Sequence, residues 1–379
     1  MKAPSRMDNS AAARWWWSVD HVSLGILAAL TTIGVILIMA AGPGAAARLG
    51  IADSFHFPIR QLVFVIPAAA IVLGVSTLTP LQARRLGSGA FVLAVVLAIG
   101  ALLFAPEING AKRWLPLGVI SLQPSELLKP GFVIAAAWML AEGARNPRFP
   151  GVAIGMGLYL FCAALLVMQP DYGQAALLSA VWMTMFFIAG GSVLWLAVLA
   201  AIAVAGVAGG YMWSPHIARR IDGFLNPQAG DNYQIDKALE AIANGGVAGR
   251  SVDGASVKLS LPDAHTDFIF AVAAEEFGLW LCLIVLALFA VFVARSYARA
   301  SETRSMFAQC AICGLAALIG IQSFINIGVN LRMLPAKGMT LPLISYGGSS
   351  LLATALCVGL ILALTRRQFH TDRRKDVMP

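Results

Sequence analysis

Along this chain, apolar stretches about as long as a bilayer is thick alternate with short polar segments. Ten such stretches lie at about 22–42, 61–79, 88–105, 126–142, 151–168, 173–190, 192–213, 267–293, 307–330 and 349–365. Crossing a hydrocarbon core of about 30 Å takes about 20 residues of helix, and helix satisfies every backbone group where no water is present. The pattern predicts an all-α, polytopic membrane protein with ten transmembrane helices. Residues 1–379 then form a single integral membrane domain, with tails at 1–21 and 366–379 and one large extracytoplasmic loop at 214–266. No spacing suggests inverted repeats.

Composition excludes a soluble protein: 59% of residues are hydrophobic, 12% are charged and the mean hydropathy is +0.78. The first apolar stretch is too long for the core of a cleaved signal, so it stays as a span, with Trp15–Trp17 at the interface. Lys and Arg accumulate in alternate segments: Lys2, Arg6 and Arg14; Arg84 and Arg85; Arg145 and Arg148; Arg295, Arg299 and Arg304; and Arg366 to Lys375. The positive-inside rule puts those segments, and both termini, in the cytoplasm, as an even number of spans requires. The net charge of +8 is thus mostly topological and argues against nucleic-acid binding. All five cysteines fall in apolar stretches, and the pair Cys310 and Cys313 reads as packing rather than redox or zinc chemistry.

The outer segments differ in kind from the inner ones, which are short and basic. Gly110-Ala-Lys-Arg-Trp114 leads into Gln123-Pro-Ser-Glu126. Gln169-Pro-Asp-Tyr-Gly173 forms a second cluster. The long loop holds Asn226 to Gln234 and closes on Leu261-Pro-Asp-Ala-His-Thr-Asp-Phe268, and Pro335 to Ser350 precedes the last stretch. Turn-forming Pro and Gly mixed with hydrogen-bonding residues point to a site at the outer membrane face.

Asp267 stands where the long loop meets the eighth span and is the leading candidate for chemistry, with an N-cap as its plain alternative. On an ideal helix Glu275 lies about 80° round from Asp267 and Glu276 about 180°. Only Glu275 can share a cavity with Asp267; hydrogen bonding to neighbouring spans is the favoured reading of both. Lys129 is an intrahelical partner of Glu126, a cation facing a cavity, or a snorkelling side chain. Arg113, Lys258, Arg332 and Lys337 are outer cations that topology does not demand, suited to an anionic headgroup or to solvent. His265 beside Thr266 is a possible base but more simply a hydrogen-bonding residue. No metal, Walker or serine-hydrolase motif is spelled out.

Together Gly110–Trp114, Gln123–Glu126 with Lys129, Gln169–Asp171, Leu261–Phe268 and Lys337–Ser350 resemble the SEDS family of bacterial cell-wall polymerases, and most of all its division branch, with the elongation branch close behind. The resemblance runs from the first span to the last. It implies a peptidoglycan glycosyltransferase that polymerises lipid II at the outer face of the cytoplasmic membrane, at the division septum. It also implies Asp267 as the essential catalytic residue, a class B penicillin-binding protein supplying transpeptidation, and other division proteins and membrane lipids as partners. One departure from the family pattern is Gly249-Arg-Ser-Val-Asp-Gly-Ala-Ser-Val-Lys258, where a Gly-rich segment containing Glu is usual and Asp253 is the available acid.

The chemistry needs a base for the acceptor hydroxyl and cations for the departing diphosphate; no second carboxylate is needed, because a diphosphate leaves already charged. Asp267 is read as the base. Arg113 and Lys129, then Arg332 and Lys337, are the diphosphate candidates; Gln123, Ser125, Asp171, Lys258, His265, Thr266 and Ser345 complete the predicted substrate-binding set. No cofactor is called for, although a divalent cation, Mg or Mn, could share the diphosphate. The rival readings are a lipid II flippase, which needs polar residues along the depth of several spans, and a non-catalytic scaffold, which needs no base.

Overall fold

The computed structural model describes residues 10–107, 110–118, 120–213, 218, 222, 233–250, 254–335 and 338–366. Every predicted stretch coincides with a helix: α2 (His21–Arg48), α3 (His56–Ser76), α4 (Pro80–Phe104), α5 (Pro124–Arg145), α6 (Gly151–Met168), α7 (Tyr172–Ile188), α8 (Val193–Trp213), α11 (Ile269–Ser301), α12 (Met306–Asn330) and α13 (Gly348–Thr365). Among the described residues, eight of them are long and apolar enough to cross a membrane; α7, with 17 residues, is a shorter apolar helix, and α8 has 21. The chain is a multi-pass membrane protein.

Local chemistry sets the helix ends. Asp20 accepts from the Val22 amide at the start of α2, Ser305 accepts from Ala308 at the start of α12, and Thr79 and Gln82 form a reciprocal capping box ahead of α4, whose first residue is Pro80. α12 and α13 sit deep in the bundle, whereas α3 and α4 turn most of their residues outward, the division expected between a protein core and a lipid-facing wall. Trp182 of α7 is fully buried against Phe132, Tyr159 and Phe186, and its ring occupies the space that a Cβ at Gly155 would need.

Several elements correct the sequence reading. The segment before α5 holds a two-stranded antiparallel hairpin, β1 (Leu115–Leu117) and β2 (Ile120–Leu122), beside helices elsewhere among the described residues. Gly118, at φ 73°, supplies the left-handed turn residue. The N-terminal tail contains α1 (Ala11–Ser18), capped by Ser10. The large loop contains α9 (Tyr233–Gly245), which buries Ile235, Ala238, Ala241 and Gly245 on one face, and the short α10 (Val257–Ser260). Finally, α11 is broken at Gly278 (φ 71°), where an uninterrupted span was expected.

Candidate active site

The polar clusters between the spans converge on a cavity of about 840 Å³. α3 contributes Phe57, Arg60 and Phe64, and the hairpin region contributes Arg113, Trp114, Ser121 and Gln123. Glu126 and Gln174 come from α5 and α7. Asp263, Thr266 and Asp267 come from the turn before α11, and Gly338, Thr340 and Tyr346–Ser350 from the segment leading into α13.

Asp267 is held through its main chain rather than through its carboxylate. The Asp263 carbonyl accepts from the amides of Thr266 (3.1 Å) and Phe268 (3.2 Å), closing the turn with Asp263 itself at φ 52°. Three successive carbonyls are then tied from outside. His265 O accepts from the Tyr346 amide (2.9 Å), Thr266 O from Ser345 Oγ (2.6 Å), and Asp267 O from both Asn326 Nδ2 (2.8 Å) and Asn330 Nδ2 (3.0 Å). Asn326 Nδ2 also donates to Met339 O (2.7 Å), locking the turn to the loop whose Gly338 lies against the carboxylate. A Cβ at Gly338 would stand 3.2 Å from Asp267 Oδ2. The N-cap of α11 is Phe268, so Asp267 does not cap the helix; its carboxylate faces the cavity without a hydrogen-bond partner among the described residues. Burial, reinforced by the nearby Asp263 charge, pushes its pKa up to about 7.

The structure divides the remaining candidates. Arg113, Gln123 and Thr266 line the cavity. Arg113 donates through Nε to Gln169 O (2.9 Å) and through Nη2 to Pro170 O, and its Nη1 lies 3.6 Å from Asp171 Oδ1. Asp171 is buried behind Arg113 and bonded by Gln123 Nε2 (3.5 Å); burial raises its pKa against the pull of Arg113. Ser345 is a turn clamp rather than a lining residue, and Ser125 is buried with its hydroxyl unpartnered among the described residues.

The other candidates have partners of their own in the structure. Lys129 is buried and donates to both Glu126 oxygens (3.0 Å each) and to Gln322 Oε1 (2.9 Å), so it holds Glu126 at the cavity wall and does not face the cavity itself. Lys258 is buried in an ion pair with Glu276. Glu275 does not share the cavity: it turns to the long loop, accepting from Asn244 Nδ2 (2.9 Å) and the amides of Val257 (2.8 Å) and Lys258 (2.7 Å). Arg332, at φ 56°, pairs with Asp236 (3.2 Å) outside the cavity. The His265 ring makes no hydrogen bond at Nδ1 and packs on Phe57 (centroids 4.2 Å apart) and Tyr346 (5.5 Å). Burial and the Arg48 charge bring its pKa down to about 4, leaving the ring neutral. Lys337, Asp253 and residues 226–232 lie outside the described residues.

Asn326, Asn330 and Arg60 were not singled out from the sequence. Gln322, Asn326 and Asn330 recur at i, i+4 and i+8 in an apolar helix, a polar stripe that itself signals a functional face. Among the described residues, no group of three or more His, Cys, Asp or Glu side chains gathers as a metal site.

A sequence model of the cell cycle protein family of FtsW, RodA and SpoVE matches residues 20–370. The chain belongs to this family. Family members similar to it include the probable peptidoglycan glycosyltransferases FtsW of Caulobacter vibrioides (41% identical, spanning 96% of this chain and 93% of the relative) and of Thiomicrospira cyclica (36% identical, 89% of each). Solved family structures share the fold. A chain from a peptidoglycan synthase complex, described for structural coordination of polymerization and crosslinking, superposes with a TM-score of 0.77 at 28% identity, covering 92% of this chain and 98% of its own. The rod shape determining protein RodA of Thermus thermophilus gives 0.69 at 27% identity, with 92% and 97% covered. These family relatives bear out the resemblance to cell-wall polymerases and to the division branch among them.

Proposed function

We propose that the cavity is where this chain, a peptidoglycan glycosyltransferase of the FtsW type, extends glycan strands from lipid II at the outer face of the bacterial cytoplasmic membrane during division. The supporting observation is the Asp267 carboxylate, unbonded among the described residues, facing the cavity, on a turn held by four hydrogen bonds to the carbonyls of His265, Thr266 and Asp267. A general base must reach its proton and have a pKa near the working pH. Asp267 removes the proton from the 4-hydroxyl of the acceptor sugar while that oxygen bonds to the anomeric carbon of the donor. The carbon–oxygen bond to the diphosphate breaks, the centre inverts, and undecaprenyl diphosphate leaves with the electron pair. Glu126, anchored by Lys129 and by Gln174 Nε2 (2.9 Å), gives the far wall a fixed acceptor for sugar hydroxyls.

The FtsW relatives and the structural neighbour in a peptidoglycan synthase complex support a septal setting and a class B penicillin-binding protein beside this chain, with both termini cytoplasmic. Reconstitution with that partner and purified lipid II tests the reading. Wild type should form strands, and Asp267→Asn, matched for folding and partner binding, should lose about 10²–10⁴-fold in rate, the usual contribution of a general base. Equal rates would place the base elsewhere; an inactive wild type would return transport or scaffolding.

A further inference from the structure

We infer that Arg60 is an anion ligand of the cavity, a residue that takes the diphosphate of the lipid-linked substrate. The inference rests on the polymerase reading and goes beyond it by naming the contact. Among the described residues, it follows from where the other cations named as diphosphate candidates are spent; Lys337 lies outside them. Lys129 is used by Glu126 and Gln322, Lys258 by Glu276, and Arg332 by Asp236. Arg113 does reach the cavity, but its Nε and Nη2 are given to the carbonyls of Gln169 and Pro170 and its Nη1 faces Asp171. Its role is to pin the α6–α7 turn.

Arg60 also lines the cavity, and its guanidinium has neither an ion pair nor a hydrogen bond among the described residues. Topology does not require an arginine at the outer end of α3, where the positive-inside bias disfavours one. The planar fork of a guanidinium donates side by side to two oxygens of a diphosphate. Arg60 and Asp267 line the same cavity, so an anion on Arg60 lies in the space the base serves. Thr340, Ser349 and Ser350 supply further hydroxyls on that wall.

The probe is undecaprenyl diphosphate, bound to purified protein in nanodiscs, with phosphatidylglycerol as a second anionic lipid. Wild type, Arg60→Ala, Arg60→Lys and Asp267→Asn are compared, and lipid II turnover is measured alongside. Arg60 is exposed, so its truncation leaves no buried charge behind, and thermal unfolding checks the fold. Losing one charge-assisted contact should weaken undecaprenyl diphosphate binding, and raise KM for lipid II, by about 10- to 100-fold. Arg60→Lys should fall between, and Asp267→Asn should bind like wild type without turning over. Unchanged diphosphate binding by Arg60→Ala overturns the inference, as does an equal loss of phosphatidylglycerol binding, which would mark a general headgroup contact. Should wild type bind diphosphate through Arg60 yet form no strands, the polymerase reading fails and the anion site stands.

Discussion

At the scale of single residues, Asp267 ties pH to both rate and stability. Its pKa is raised from 3.8 to about 7 by burial and by Asp263, so the folded protein holds this proton more tightly than the unfolded chain does. The stability this confers is complete below about pH 4 and is lost as pH rises through 7. Asp267→Asn should therefore melt at a higher temperature than wild type at pH 8, and the gap should close at pH 4. The proposed base works only as a carboxylate, so kcat/KM of wild type should fall about tenfold per pH unit below pH 7. A melting gap independent of pH, or an acidic limb centred near pH 4, would mean that the carboxyl is not desolvated as the structure has it. Asp267 was legible in the sequence because an acid at the mouth of an apolar span has few other reasons to be there. The partners of Lys129, Lys258 and Arg332 were not, because spacing along a helix does not reveal which distant carboxylate or amide lies opposite. Only Glu126, one turn from Lys129, could be named in advance.

At the scale of elements, the break in α11 shows what periodicity misses. Gly278 leaves the helix, and the end of α9 with the turn after it fills the gap: the Arg250 amide donates to Glu275 O (2.8 Å) and the Leu279 amide to Gly246 O (3.1 Å). The backbones approach so closely that a Cβ on Gly245 would fall 1.9 Å from Ala274 O, and one on Gly249 2.3 Å from Glu276 O. The apolar run across 269–301 reads as one span, since a glycine alone announces no break, and the loop segment that fills it is remote in sequence. The large loop is thus spliced into the helix that begins two residues after the proposed base. Gly245→Ala should force the two apart, cost about 1–3 kcal/mol or more, and lower activity with it. Gly25→Ala on α2, where a Cβ would meet nothing within 4 Å, is the control. Thermal unfolding of the two variants checks the difference; equal melting points would mean that the splice is loose.

At the scale of the molecule, side-to-side contacts between connecting segments restrict the span count more tightly than hydropathy does. Trp15 Nε1 donates to Ser76 Oγ (2.8 Å), Arg295 to both oxygens of Asp20 (2.6 and 2.8 Å), and Arg366 to Thr77 O (3.1 Å), so the chain near 20, 77, 295 and 366 shares one face. Arg113 with Gln169, Gln123 with Ser349, and Tyr346 with His265 bring 113, 123, 169, 265 and 346 together on the other. Since 169 and 265 share a face, α7 and α8 both cross or neither does: ten spans or eight, and not nine. Gln174 at one end of α7 bonds Glu126 (2.9 Å) near the cavity, and Met185 at the other lies 2.7 Å from where a Gly314 Cβ would stand, in the opposite half of α12. That arrangement favours ten, with the 21 residues of α8 reaching back over about 31 Å at 1.5 Å each. Ser192, exposed between the two helices, should as a cysteine react with a membrane-impermeant maleimide only from the cytoplasmic face, while Leu49→Cys reacts only from the outside. The five native cysteines are buried and contribute little background. Labelling of Ser192→Cys from the outside would reduce the count to eight and leave the cavity where it is. Labelling of Leu49→Cys from the cytoplasm would invert the whole protein and turn the cavity away from the strands it is proposed to build.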